Sequence, residues 1–89
     1  MTTVVNVTAN VSAQVALWGN TGRSGMILFN DSTGPALIKI GSDVSSTSYS
    51  FRLRPGEFWS SMTKDDTPKD AVSVIWPLAS TGYLCATEF

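Results

Sequence analysis

Large apolar residues alternate with polar ones along most of the chain, with the period of two that a strand shows when one face is buried. Turn-forming residues separate the alternating segments. The pattern predicts strands near residues 3–8, 13–18, 25–30, 36–40, 48–53, 57–61, 71–76 and 83–88. No segment carries the apolar stripe of a helix. We therefore expect an all-β fold, a single antiparallel β-sandwich of about eight short strands.

The alternation is clearest in FRLRPGEFW, residues 51–59. Its Pro-Gly pair suits a type II turn, because Pro fixes φ at the first central position and Gly accepts a positive φ at the second. We therefore expect a hairpin with an aromatic-rich inner face and with Arg52 and Arg54 outside. The same alternation predicts a core that contains Ile38, Ile40, Phe51, Leu53, Phe58, Val72, Val74 and Trp76.

Two segments depart from simple alternation. Residues 26–29, MILF, are apolar on both faces, which is typical of a strand covered twice, either within the chain or by another chain. Residues 1–11 alternate weakly, and we expect them to form an extended arm or an edge strand that orders on a partner. The sandwich domain would then span residues 12–89. Deleting residues 2–9 should weaken attachment to that partner more than it lowers the melting temperature.

Composition narrows the function classes. The chain has 89 residues, enough for one domain, and its net charge of -1 argues against a nucleic-acid-binding surface. It has no apolar run of about 18 residues, so no membrane span is expected. The N-terminal residues lack the basic and apolar regions of a secretory signal. Cys85 is the single cysteine, which excludes an internal disulfide and favours a reducing cytoplasm, or a particle assembled in one, as the compartment.

Candidate chemistry is sparse. The chain has no histidine, which excludes Ser-His-Asp and Cys-His catalysis and histidine-containing metal sites. Cys85 lies in an alternating strand and is interpreted as a small buried apolar residue. Asp65, Asp66 and Asp70 could in principle bind a divalent cation, but their spacing matches no calcium loop and two lysines neutralise them. We expect a solvated turn there, and no enzyme, cofactor or metal.

Aromatic and arginine residues offer binding surfaces instead. The tryptophans and tyrosines could form a core, a partner interface or a sugar-stacking platform, and the core is favoured because each ring buries a large area. They are Trp18, Tyr49, Trp59, Trp76 and Tyr83. Arg52 and Arg54 share a face of their strand, and arginine is enriched at interfaces.

Three segments, taken in order, resemble a class of small proteins encoded in tailed-phage genomes: RSGMILFNDSTGPALIKIG, YSFRLRPGEFW and DAVSVIWPLASTGYLCATEF. The shared features are Arg23 before an apolar strand, then Asn30-x-Ser32, then Leu-x-Pro-Gly-Glu at residues 53–57, and a last strand ending in Thr-Glu. Some members resemble capsid decoration, or cement, proteins. The resemblance covers residues 23–88 and implies a jelly-roll-type sandwich on the outside of the head, often as a trimer. It transfers no catalytic residue.

These observations together predict a non-enzymatic structural protein that binds the outside of a bacteriophage head and stabilises the capsid. It would be made in the bacterial cytoplasm, contact the major capsid protein, and form a homotrimer around a local three-fold axis, without nucleic acid or membrane. The predicted interface residues are Met26, Leu28, Arg52 and Arg54. Two alternatives stay open: a carbohydrate-binding or host-attachment module of a fibre, and a minor neck or tail component.

Overall fold

Two four-stranded antiparallel sheets form the fold in a computed structural model that describes residues 2–89. Within that range there is no helix, so none long and apolar enough to cross a membrane. The strands are β1 (Thr3–Thr8), β2 (Gln14–Leu17), β3 (Met26–Ser32), β4 (Ala36–Ile40), β5 (Phe51–Leu53), β6 (Phe58–Ser61), β7 (Val72–Ile75) and β8 (Gly82–Glu88). Sheet 1 has the order β1-β8-β3-β6, and sheet 2 has the order β2-β7-β4-β5. The predicted all-β fold class is confirmed.

The core lies between the two sheets and is built from alternate residues of each strand. Its fully buried members from sheet 1 include Met26, Leu28, Leu84 and Ala86. Sheet 2 contributes Ile38, Val72 and Val74, and Trp76 directly follows β7. Of the residues predicted to be in the core, Ile38, Leu53, Val72, Val74 and Trp76 are buried, and Ile40 and Phe51 pack against them half-buried.

Phe58 is the exception, since 67% of it is exposed. Its neighbour Trp59 takes the inward position and stacks on Phe51, with ring centroids 5.4 Å apart. The inward positions of β6 are therefore one residue out of step with the prediction, and a one-residue shift moves every side chain of a strand to the other face.

The predicted hairpin at residues 51–59 is wrong, although its turn forms. The N–H of Glu57 donates to the carbonyl of Arg54 at 3.0 Å, and Gly56 has a φ of 84°, as a type II turn requires. However, β5 pairs with β4 in sheet 2, whereas β6 pairs with β3 in sheet 1. A type II turn splays the flanking strands, because its twist opposes theirs. The turn therefore carries the chain from one sheet to the other.

The N-terminal segment forms an edge strand of sheet 1. β1 pairs with β8 at six consecutive positions, from Thr3 opposite Glu88 to Thr8 opposite Tyr83. Val7 is buried in the core. This strand therefore belongs to the sandwich, and the predicted boundary at residue 12 does not separate it from the other strands. Met1 lies outside the described residues.

Candidate interaction surface

The outward side chains of sheet 1 form a nearly uncharged surface of apolar and polar residues, and we call its apolar part the apolar face. One row of outward residues crosses all four strands in the order Phe58, Phe29, Cys85 and Asn6, each paired with the next. The next row is Ser60, Ile27, Thr87 and Val4, and a third is Asp31, Tyr83 and Thr8. The apolar face is therefore defined by Val4, Ile27, Phe29, Phe58, Tyr83 and Cys85.

Much of this surface is open to solvent. Phe58, Val4 and Tyr83 are 67%, 64% and 48% exposed, and Phe29 is also exposed. Asp31 is the single charged residue among the outward positions of these four strands. Contiguous exposed apolar area rimmed by polar residues marks interaction sites in soluble proteins. The apolar face is thus the best candidate for a functional site in this chain.

The outer face of sheet 2 is partly covered by the chain itself. The segment between β4 and β5 folds over it and buries Val44. Ser73 fixes this segment, because its Oγ accepts the N–H of Val44 at 3.2 Å and donates to the carbonyl of Gly41 at 2.7 Å. Lys39 Nζ lies 3.0 Å from Asp43 Oδ1, and this bond holds the pKa of Asp43 below its ordinary value. The two outer faces are therefore chemically different.

The four predicted interface residues do not form one surface. Met26 and Leu28 are fully buried between the sheets, which corrects their assignment as contact residues. Alternation along β3 turns Ile27 and Phe29 outward instead. Arg52 is exposed on the outer side of sheet 2, opposite the apolar face, because the turn after β5 changes sheets. Arg54 is exposed at that turn.

The Asn-x-Ser and Leu-x-Pro-Gly-Glu motifs meet inside the molecule. Asn30 is fully buried, and its Nδ2 donates to the carbonyls of Gly34 and Leu53 at 3.0 and 2.8 Å. Ser32 Oγ accepts the indole N–H of Trp76 at 3.0 Å. The N–H of Gly56 donates to the carbonyl of Asn30 at 2.8 Å. These motifs therefore join β3, the crossing turn and the end of β7, and serve the fold rather than a contact surface.

Arg23 and Glu88, the first and last residues of the resemblance, also meet. Arg23 Nε lies 2.9 Å from Glu88 Oε1, and the Arg23 side chain is fully buried. The predicted solvated turn at residues 64–70 packs onto this pair, since Arg23 Nη1 donates to the carbonyls of Pro68 and Asp70. Sequence analysis missed this structural role. The sequence offers one indication of this role, since Arg23 is the first charged residue of the chain and follows a long uncharged segment.

The tryptophans do not form a sugar-stacking platform in the described part of the chain. Trp18 is 74% exposed, Trp59 is half-buried against Phe51, and Trp76 is in the core. Across residues 2–89 there is neither an enclosed pocket nor a group of acidic or cysteine residues arranged to hold a metal. Cys85 lies half-buried on the apolar face, where burial and, secondarily, the charge of Asp31 raise the pKa of its thiol.

No protein-family model, curated protein or solved structure matches this chain.

Proposed function

We propose that this protein is a non-enzymatic cement protein that binds the outside of a bacteriophage head through its apolar face and stabilises the capsid. The observation that carries the proposal is the pair of exposed aromatic residues Phe58 and Phe29, which lie side by side on a hydrogen-bonded sheet. A rigid sheet presents these side chains with little further loss of conformational freedom on binding. The resemblance over residues 23–88 supplies the partner, the major capsid protein, and the place, the capsid exterior.

The energetics suit a repetitive lattice. Burying the exposed part of each large side chain of the apolar face contributes about 1–2 kcal/mol. Four such side chains therefore contribute roughly 4–8 kcal/mol, while association costs an estimated 4–15 kcal/mol. One copy on one site would bind weakly. A protein that binds the assembled shell but not the free capsid subunits nevertheless shifts the equilibrium between them toward assembly by mass action, and the effect is repeated at many equivalent sites.

The weak charge of this surface fits the same role. Asp31 is the single charged group on the outward positions of sheet 1, so neighbouring copies repel one another little and binding depends weakly on salt. A neck or tail position would use the same surface and is distinguished by locating the copies on the particle. The fibre alternative predicts glycan binding, and the burial of Trp76 and the partial burial of Trp59 give it no particular support.

The direct test uses heads prepared without this protein. We expect the wild-type protein to co-sediment with these heads and to raise the temperature at which they release DNA. The double variant Phe29→Ser/Phe58→Ser should bind at least ten-fold more weakly, while its circular dichroism stays that of a β-sandwich. Trp18→Ser is the matched control, because it removes an equally exposed ring outside the apolar face.

Either of two results would reject the proposal: no binding of the wild-type protein to heads, or equal binding by the double variant. A Trp fluorescence titration with bacterial polysaccharides, run in parallel, would support the fibre alternative if it saturates.

A further inference from the structure

The free edge of β1 presents backbone groups that no hydrogen bond within residues 2–89 uses. The N–H of Ala9 donates to the carbonyl of Gly82 at 2.9 Å, which continues the β1–β8 ladder and fixes its phase. Backbone groups alternate between the two sides of an antiparallel strand, so the even-numbered residues of β1 point away from β8. Gln14 confirms this phase, because its Nε2 donates to the outward carbonyl of Thr8 at 3.0 Å. The N–H and C=O groups of Val4 and Asn6 remain open.

β1 is also the least protected of the four sheet edges. It has six regularly paired residues, whereas β6 has four, β5 has three, and β2 has four with a register shift. Natural proteins usually block an exposed edge with a charge, a proline or a bulge. β1 has none of these, and no charged side chain precedes Arg23 in the sequence. Such an edge is suited to pairing with another strand.

We propose that β1 pairs antiparallel with β1 of a second copy across a two-fold axis, which joins the two copies of sheet 1 into one eight-stranded sheet. The open groups select the register. Val4 lies opposite Asn6 of the second copy, and the two Val5 residues face each other on the axis. This arrangement makes four N–H···O bonds from the open groups of Val4 and Asn6. Thr2 of the second copy, which precedes β1, lies opposite Thr8 and stays unpaired, so the Thr8 carbonyl keeps its bond to Gln14. A register with Asn6 opposite Asn6 would require the Thr8 carbonyl that Gln14 already occupies.

A second copy is the partner that this edge fits, because the pattern of donors and acceptors is self-complementary about Val5 and the paired strands bring no like charges together. The two-fold axis is perpendicular to the sheet, so both apolar faces point in the same direction. Strands lie about 4.8 Å apart and rise about 3.4 Å per residue, so the strands of sheet 1, with six, seven, seven and four residues, present roughly 400 Å².

The area of the joined face also supports pairing through β1, and this support rests on the proposed function. One face against a capsid would bury roughly 800 Å² in total, below the roughly 1,200–2,000 Å² of stable specific interfaces. Two faces side by side would bury roughly 1,600 Å², which is within that range. Pairing through β1 therefore makes the apolar face large enough for specific binding. The homotrimer predicted from the sequence is the competing assembly.

Sedimentation equilibrium on the full chain tests the pairing. We expect a concentration-dependent mass that reaches two chains. Asn6→Pro should raise the dimer dissociation constant at least ten-fold, because proline removes an outward N–H and leaves the bonds to β8 in place. Asn6→Thr keeps the N–H and should match the wild type. If the proline variant does not fold, Asn6→Lys at the same edge provides the same comparison.

Disulfide trapping tests the register. In a Cys85→Ser background, Val5→Cys should oxidise to a covalent dimer, because facing residues that do not share hydrogen bonds have Cα atoms about 4.5 Å apart. Thr3→Cys is the matched control. In the proposed register its two copies lie roughly 13 Å apart, too far for a disulfide.

The outcomes separate this proposal from the proposed function. A monomer at all concentrations, a mass of three chains, or a dimer that Asn6→Pro leaves unchanged would overturn the β1 pairing. A dimer that obeys these predictions but does not bind heads would overturn the cement function and leave the pairing standing. Loss of head binding in Asn6→Pro, with a monomeric wild type, would assign the edge to a strand of the capsid protein and overturn self-pairing.

Discussion

Replacing Arg23 with methionine should destabilise the fold more than any substitution of an exposed charge. The side chain is fully buried and donates four hydrogen bonds: Nε to Glu88 Oε1 at 2.9 Å, Nη1 to the carbonyls of Pro68 and Asp70 at 2.8 and 2.9 Å, and Nη2 to the carbonyl of Trp18 at 2.7 Å. It thus connects the segment after β2, the segment before β7 and the end of β8. Methionine keeps most of the apolar stem and removes every donor.

The size of the effect follows from what remains after the substitution. Breaking a buried ion pair by removing one partner costs about 3–5 kcal/mol, because the other charge is left without compensation. Glu88 keeps one bond, from Asn20 Nδ2 at 3.1 Å, and its side chain is 13% exposed, which moderates the loss. The three carbonyls each lose a part-buried bond, and an acceptor left unsatisfied costs about 1–3 kcal/mol where water does not replace the donor. We therefore expect a loss of about 4 kcal/mol.

A loss of this size is easy to measure. A domain of this length has an unfolding free energy of about 4–13 kcal/mol, so Arg23→Met should lower the melting temperature by roughly 15–30 °C or prevent folding. Urea unfolding followed by Trp fluorescence gives the free energy. Arg52→Met is the control, because Arg52 is exposed and the change should stay within about 0.5 kcal/mol. A loss below about 1 kcal/mol in Arg23→Met would refute the structural role of this side chain.

Three further predictions concern the backbone at two glycines, the burial of Phe58 and the thiol of Cys85. Gly82→Ala should lower the free energy of unfolding in urea by more than about 3 kcal/mol, because Gly82 has a φ of +105° and a Cβ there would overlap the backbone of Asp31. Gly56→Ala should lower it by only about 1–2 kcal/mol, because Gly56 has a φ of +84° but open space around it. Equal losses would contradict this reasoning. Phe58→Ala should cost less than about 1 kcal/mol, and a loss of 3 kcal/mol or more would place the ring in the core after all. The alkylation of Cys85 should need a higher pH in the folded than in the urea-unfolded protein, since burial raises the pKa of its thiol, and Asp31→Asn should move the profile part of the way back. The stabilisation from the neutral thiol should be full below the thiol pKa of the unfolded chain, and it should be lost as the pH rises from that value through the pKa of the folded protein.

Strand positions could be predicted from the sequence because alternation is a local property. β1 and β4 have the predicted bounds, and the other strands differ by a few residues at their ends. Burial on one face of a sheet imposes the period of two directly on neighbouring residues, so the signal does not depend on which strands pair. Core positions in β4 and β7 followed from the same reasoning, and Ile38 and Val74 are indeed fully buried.

Pairing between strands could not be predicted in the same way, because it depends on contacts far apart in sequence. The Pro55-Gly56 turn has the predicted type, yet it connects the two sheets instead of closing a hairpin. The inward position of Trp59, and with it the exposure of Phe58, follows from the pairing of β6 with β3. The candidate surface was mislocated for two reasons. Arg52 lies in the other sheet, and residues 26–29 are apolar on both faces, so alternation did not show which face is buried.

The exposure of Phe29 has a physical reason that links the fold to the candidate surface. A one-residue slip of β3 would bury Phe29 and expose Asn30, which hydrophobicity alone would favour. The slip would break the two bonds from the Asn30 amide to Gly34 and Leu53 at 3.0 and 2.8 Å, and would move Leu28 out of the core. A fully buried asparagine thus fixes the register that keeps a phenylalanine in solvent. This arrangement, with a polar residue inside and an aromatic residue outside on adjacent positions of one strand, supports the proposal that the apolar face binds a partner.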